Sequence, residues 1–311
     1  MRSVEVWKND AVERRCAALE TKPALDHEAV ERAIESMRRP DLVRERLAAP
    51  LLYAQRVEAE VAQLPIDKAL PHADDDYMGR FLAVWTPDEV GHGEAQERLM
   101  QVLGLQAAEV KTDDKAVAFV GGLMTRSSRR LHEVALMGYH TVGAMNEKLA
   151  MSAYQQMGRI AVDIGEPELA DVLFGPMRRD ESLHLGYYRT YARELGRQLQ
   201  PWQRNLVRWV LVKNYAPVGA RRPKHKATLG RTLAALGEDL DDPGIAELIQ
   251  AIAQEVLDKD GPELPPFARM AFVRCADAAR AEDPDFDTTV RPAPSHEAVA
   301  PTLTVAPDGL A

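Results

Sequence analysis

The chain repeats one pattern: a lone Glu on an apolar helical stripe, followed about thirty residues later by Asp-Glu-x-x-His. The first copy is Glu58 with Asp88-Glu89-Val90-Gly91-His92, and 31 residues separate Glu58 from Glu89. The second is Glu147 with Asp180-Glu181-Ser182-Leu183-His184, where the separation from Glu147 to Glu181 is 34. In a helix, positions i and i+3 share a face, so Glu89/His92 and Glu181/His184 each aim one oxygen and one nitrogen in the same direction. Those faces are otherwise core-like, with Leu82, Trp85 and Leu99 around the first pair and Phe174, Met177, Leu185 and Tyr188 around the second. A buried carboxylate with no partner is costly by several kcal/mol. Four of them on apolar stripes therefore predict four long helices whose carboxylates meet around cations.

The lone glutamates sit in matching contexts. His140, Gly143, Ala144, Ala150, Met151 and Tyr154 share the stripe of Glu147, and Leu47, Leu51, Ala54, Val61 and Ala62 lead to and from Glu58. Glu60 competes with Glu58, but its stripe carries Arg56 and Gln63 and is wetter, so periodicity favours Glu58. Thirty-odd residues allow one helix to end, turn and return antiparallel, which is the layout of a four-helix dimetal bundle.

The rest of the chain is compatible with that fold. Strand signals are nearly absent. Helices are expected at 10–21, 26–38, 41–64, 74–103, 113–125, 128–163, 167–198, 201–215, 226–236, 243–258 and 264–280, punctuated by Pro40, Pro65, Pro71, Gly104, Gly165, Pro167 and Pro201. Pro50 and Pro87 mark kinks or first turns, and Gly175-Pro176 a break within 167–198. The expected organisation is an N-terminal helical extension over 1–40, a four-helix bundle over 41–215, a C-terminal helical appendage over 216–281 and a disordered tail over 282–311. The fold class is thus all-α, a ferritin-like four-helix bundle with extra flanking helices.

A net charge of −9 argues against nucleic acid as a partner. No apolar run approaches the ~20 residues of a membrane span, and Met1 to Asp10 lacks the apolar core of a signal peptide. Cys16 and Cys275 form neither a CxxC nor a zinc spacing, and suit free thiols in a reducing cytoplasm.

The donor set selects the metal. Carboxylates that bridge two ions, plus one imidazole per ion, suit iron or manganese pairs that change redox state and react with oxygen. Zinc would favour Cys and more His. Asp88 and Asp180 are placed to accept the free ring N–H of the histidine on the opposite Glu-x-x-His helix, fixing its tautomer.

At these residues the chain resembles the soluble acyl-carrier-protein desaturases, a branch of the ferritin-like di-iron proteins. Trp85-Thr86-Pro87-Asp88-Glu89-Val90-Gly91-His92-Gly93 is similar to their WTAEENRHG motif, and Arg179-Asp180-Glu181-Ser182-Leu183-His184 to their ADEKRH motif. The resemblance spans about residues 40–200. It implies Glu58, Glu89, His92, Glu147, Glu181 and His184 as ligands to two iron ions cycling between Fe2+ and Fe3+, with Asp180 on the electron path. It also implies O₂ as co-substrate, a ferredoxin-like or flavoprotein electron donor and an acyl carrier protein as substrate carrier, and it allows a homodimer. The chain departs from the family at Ala150, where the family has a Thr, and around Glu58, where Gln55-Arg56-Val57 replaces the usual context.

The expected activity is therefore O₂-dependent desaturation or hydroxylation of an acyl chain. The alternative is a di-iron oxygenase acting on a small amine or an amino-acid-derived substrate. An iron-storage bundle has no use for the helices beyond residue 200, and a radical-generating reductase subunit lacks a Tyr set beside a ligand by spacing. Met137, Met145, Met151 and Met157 are expected in the core rather than along a channel. An acidic carrier would dock on Arg126, Arg129 and Arg130, or on Arg221, Arg222, Lys224 and Lys226.

Overall fold

A computed structural model describes residues 8–62, 76–107, 129–258, 262–283 and 286. Among these residues every regular element is helical. In chain order they are α1 (Asp10–Glu20), α2 (His27–Glu35), α3 (Pro40–Ala62), α4 (Asp76–Val102), α5 (Arg129–Asp163), a short α6 (Pro167–Leu169), α7 (Gly175–Gln198), α8 (Pro201–Asn214), α9 (Pro223–Ala235), α10 (Gly244–Asp258) and α11 (Phe267–Glu282). The expected helix at 113–125 lies outside the described residues, as does Arg126.

Local chemistry sets the ends. The Asn9 side chain accepts from the backbone of Ala11 and Val12 to start α1, and Asp26 accepts from Ala29 to start α2. Gly104 and Gly165 adopt φ of 68° and 89°, a left-handed conformation that only glycine enters freely, and they close α4 and α5. At the second of these the Glu166 N–H reaches back to the Ala161 carbonyl at 2.8 Å, satisfying a terminal acceptor.

Pro50 and Pro87 lie inside α3 and α4. The break expected at Gly175-Pro176 is a widened π turn over Ala170–Phe174, in which the Gly175 N–H bonds the Ala170 carbonyl. Pro176 has no N–H for the carbonyl four residues back and its ring crowds it, and the wider turn relieves both.

Helices α3, α4, α5 and α7 form the bundle, with α3 packed on α4 and α5 on α7. Helix α1 covers α7 and α4, and α2 lies against α4. On the other side α9 packs on α3 and α11, and α10 on α5 and α7. The C-terminal helices share a hydrophobic cluster with the bundle: Leu229, Ile249 and Phe272 belong with Phe81, Trp85 and Tyr188. A second cluster, with Leu47, Leu51, Leu99, Met157 and Phe174, fills the other end. Along α4 the residues Glu89 and His92 fall between Trp85 of the first cluster and Ala95 of the second. Glu282 closes α11, and Phe286 packs on the first cluster. Residues after 286 lie outside the described set.

Candidate metal centre

The six residues singled out by spacing converge in the middle of the bundle. Helix α3 supplies Glu58, α4 supplies Glu89 and His92, α5 supplies Glu147, and α7 supplies Glu181 and His184. All are at most 6% exposed. Their donor atoms form two groups, Glu58/Glu89/His92/Glu181 and Glu89/Glu147/Glu181/His184, with every atom of a group within 4.8 Å of the others. Glu89 and Glu181 belong to both groups. Glu60 lies apart and pairs with Arg56 at 2.8 Å.

The imidazoles turn Nδ1 inward and Nε2 outward. His92 Nδ1 is 3.2 Å from Glu181 Oε1, and His184 Nδ1 is 3.3 Å from Glu89 Oε1. Outward, His92 Nε2 meets Asp180 Oδ2 at 3.3 Å and His184 Nε2 meets Asp88 Oδ2 at 3.0 Å, each Asp coming from the other helix. With a neutral imidazole, an N–H donated outward leaves the Nδ1 lone pair free to bind a cation.

The donor set fits a pair of metal ions. His92 Nδ1, Glu89 Oε1 and Glu181 Oε1 are buried with no hydrogen-bond partner, although oppositely polarised atoms stand within ionic distance. Close but misaligned donors aim at common points rather than at each other, and each unmet atom is unfavourable by about 1–3 kcal/mol unless a cation satisfies it. Two divalent ions would also cancel the charge of the four carboxylates in this set.

Proton affinities point the same way. Burial, and then the charge of Glu89, pushes Glu58 well above the usual carboxylate range. Burial and the charge of Glu181 do the same to Glu147. Burial opposes ionisation of Glu181 too, but its contacts with Glu147 and both histidines hold it low. His92 is desolvated, yet its contacts with Asp180 and Glu181 raise it to about 9. Without cations, protons must therefore take up charge that the cluster cannot hold.

Residues that spacing does not reveal brace this set. Lys22, a half-buried residue in the segment between α1 and α2, tucks its side chain inward with Nζ 2.7 Å from Asp88 Oδ1 and 3.2 Å from Asp180 Oδ1. Burial disfavours the Asp180 carboxylate, but His92, Lys22 and Arg179 hold it ionised below its usual range. Trp85 Nε1 donates to Glu147 Oε1 at 3.2 Å. The Tyr154 hydroxyl donates to Glu58 and accepts from Gln96 Nε2 at 2.9 Å. No Tyr is set beside a candidate ligand by spacing; Tyr154 lies on the stripe of Glu147 and meets Glu58 only by reaching across the bundle to α3. Its helical position alone did not show that crossing.

Ala150 faces an apolar cavity of about 160 Å³ that abuts Glu58, Glu89, Glu147 and Glu181. Ser152 instead donates to the Lys148 carbonyl of its own helix at 2.9 Å. Met137, Met145 and Met157 are fully buried in the two clusters, and no methionine is among the described residues lining the cavity. Of the basic residues, Arg129 is exposed and pairs with Glu133 at 3.3 Å, while Arg221, Arg222 and Lys224 are exposed before and within the first turn of α9. No described helix is long and apolar enough to cross a membrane. Cys16 and Cys275 are buried, and among the described residues neither forms a disulfide.

In comparisons with known proteins, no family model, no curated protein and no solved structure matches the chain.

Proposed function

We propose that this chain is a di-iron oxidoreductase that uses O₂ to attack an unactivated C–H bond, of the kind the acyl-carrier-protein desaturase resemblance implies. The observation that carries the proposal is the sharing of Glu89 and Glu181 between two buried ligand groups, each completed by one unshared Glu and one His. That sharing is the arrangement expected for two carboxylate-bridged ions of a redox metal. Bound iron would supply the reduction of O₂ and the oxidation of the substrate C–H bond.

The chain's own residues set the conditions. Asp88 and Asp180 hold the outward N–H of each histidine and so fix the tautomer that leaves Nδ1 free. Trp85 and Tyr188, 5% and 2% exposed, line the cavity on the carboxylate side and make its wall there aromatic. Hydroxylation balances as R–H + O₂ + two electrons + two protons giving R–OH + H₂O. Desaturation takes a second hydrogen and releases two H₂O. In both cases the electrons come from an external ferredoxin-like or flavoprotein donor.

The test is reconstitution with iron(II) under nitrogen, metal analysis, and O₂ consumption by the reduced protein. About two irons per chain and rapid O₂ uptake are expected. One tightly held zinc, or no metal uptake, would overturn the proposal.

A further inference from the structure

We propose that Trp85, Tyr188 and Tyr139 form a relay that carries oxidising equivalents away from the metal centre when O₂ has been reduced with no substrate in place. This rests on the di-iron oxidoreductase proposed above and gives that site a means of protecting itself.

The relay begins on a ligand. Trp85 Nε1 donates to Glu147 Oε1 at 3.2 Å, so an indole, one of the more easily oxidised side chains, is joined to the donor set by a single hydrogen bond. Its ring meets Tyr188 edge-on at 6.5 Å between centroids, within the range of rings in contact. Tyr188 meets Tyr139 at 5.6 Å, and their hydroxyl oxygens are 2.9 Å apart. Trp85 and Tyr188 are buried, whereas Tyr139 is half-buried, so the three rings lead outward from the ligand. The Tyr188 ring lies directly on Gly143, where a Cβ would come within 2.5 Å of its ring carbons, and this close fit to α5 holds it in line. Phe81 also stacks on Trp85 at 5.8 Å, but a phenyl ring is far harder to oxidise and offers no side branch.

The hydroxyl pair distinguishes this array from plain packing. A phenol that loses an electron also loses its proton, and burial raises the proton affinity of both Tyr139 and Tyr188, so neither proton leaves first. A charged ring left in the core would be costly. Between two hydrogen-bonded phenols the proton and the electron cross together, and no buried charge remains. Tyr154 provides the contrast. Its hydroxyl also meets a ligand, Glu58, but it is 1% exposed, and its ring contact among the described residues is with His92 at 6.4 Å. An electron vacancy formed there has no second phenol or indole to pass to.

The electrons and protons balance. For each electron passed inward, Tyr139 becomes a neutral phenoxyl and its proton goes to water. The external one-electron donor then returns the electron, and water returns the proton. In full, O₂, four electrons and four protons give two H₂O, with two of the electrons passing through the relay.

The test mixes the full chain, loaded with iron(II) under nitrogen, with O₂ and no substrate, and freezes it for electron paramagnetic resonance. A tyrosyl signal is expected, narrowed when the tyrosines are ring-deuterated and quenched by added ascorbate. Tyr139→Phe and Trp85→Phe should each lose that signal with iron content unchanged. After repeated cycles with O₂ and ascorbate, peptide mass mapping should find more oxygen added at Trp85 in Tyr139→Phe than in the parent. Tyr188→Phe should show the same excess, since each of these two variants keeps a ring in place but breaks the relay beyond Trp85. A signal that persists in Tyr139→Phe but vanishes in Tyr154→Phe would overturn the proposal. So would equal oxidation of Trp85 in parent and variants. Iron and O₂ uptake with no radical in any protein would overturn the relay alone, whereas failure to take up iron or O₂ would overturn the proposed activity and the relay with it.

Discussion

Asp180 Oδ2 stands 3.3 Å from His92 Nε2 across two helices of the bundle, and Asp88 repeats the contact to His184 at 3.0 Å. Each Glu-x-x-His helix thus braces the imidazole of the other, so neither ligand pair is positioned by its own helix alone. Asp180→Asn removes the charge that draws on the His92 N–H while keeping the shape. Loss of such a brace typically lowers metal affinity or activity 10–100-fold, less than loss of a ligand. The variant should retain iron at saturation and slow in single-turnover O₂ uptake. Equal affinity and equal rate in variant and parent would reduce Asp180 to a packing residue.

The shared ligands make a graded forecast. Glu181 belongs to both donor groups, Glu147 only to that of His184, and Glu60 to neither. After reconstitution, Glu181→Ala should hold almost no iron, Glu147→Ala about one ion per chain, and Glu60→Ala about two. Iron analysis checks all three. A Glu60→Ala protein emptied of metal would show that the wrong residue of α3 has been assigned.

Lys22 neutralises the two aspartates through a side chain that is 5% exposed. Lys22→Met leaves both carboxylates without that charge, and breaking a buried pair is destabilising by about 3–5 kcal/mol. Thermal or urea unfolding should show this loss, and Lys22→Arg should restore part of it. With one positive charge removed, the bound iron should also become harder to reduce, giving a lower midpoint potential. An unchanged potential with lowered stability would mean that Lys22 only packs.

His140 supplies a pH dependence away from the ligands. It is fully buried and stacked on Tyr191 at 3.8 Å, with Nδ1 2.8 Å from the Leu136 carbonyl and no partner for Nε2. Burial pushes its pKa from 6.5 down to about 3. A depressed folded-state value means that the group contributes stability above its unfolded pKa, and that this is lost as pH falls from about 6.5 toward 3. His140→Phe should flatten that part of the stability curve measured by urea unfolding. An unchanged slope would place the acid sensitivity elsewhere.

The sequence revealed what a single helix can encode. Glu89 and His92 share a face because of their spacing, and the apolar neighbours of Glu58, against the wetter ones of Glu60, separate the two on α3. Gly104 and Gly165 announced their turns, since a left-handed backbone has few other occupants. What stayed hidden depends on contacts between segments. Lys22 sits in a short connection with no period of its own, yet it meets residues on α4 and α7. Tyr154 reads as core on α5 until α3 is laid against it. The C-terminal helices read as an appendage because no local pattern shows that Phe272 would join the cluster of Trp85.

The Lys22 bridge also bears on timing. Its partners lie 66 and 158 positions further along the chain, and the last ligand, His184, follows the first, Glu58, by 126. During synthesis Lys22 therefore emerges long before either carboxylate, and no ligand group is complete until α7 has been made. Contacts this distant in sequence close late, after the chain has met the entropy of bringing its ends together. On the proposed di-iron reading, metal capture then follows assembly of the bundle, and scarce iron in a growing cell would leave finished, folded chains waiting to be charged.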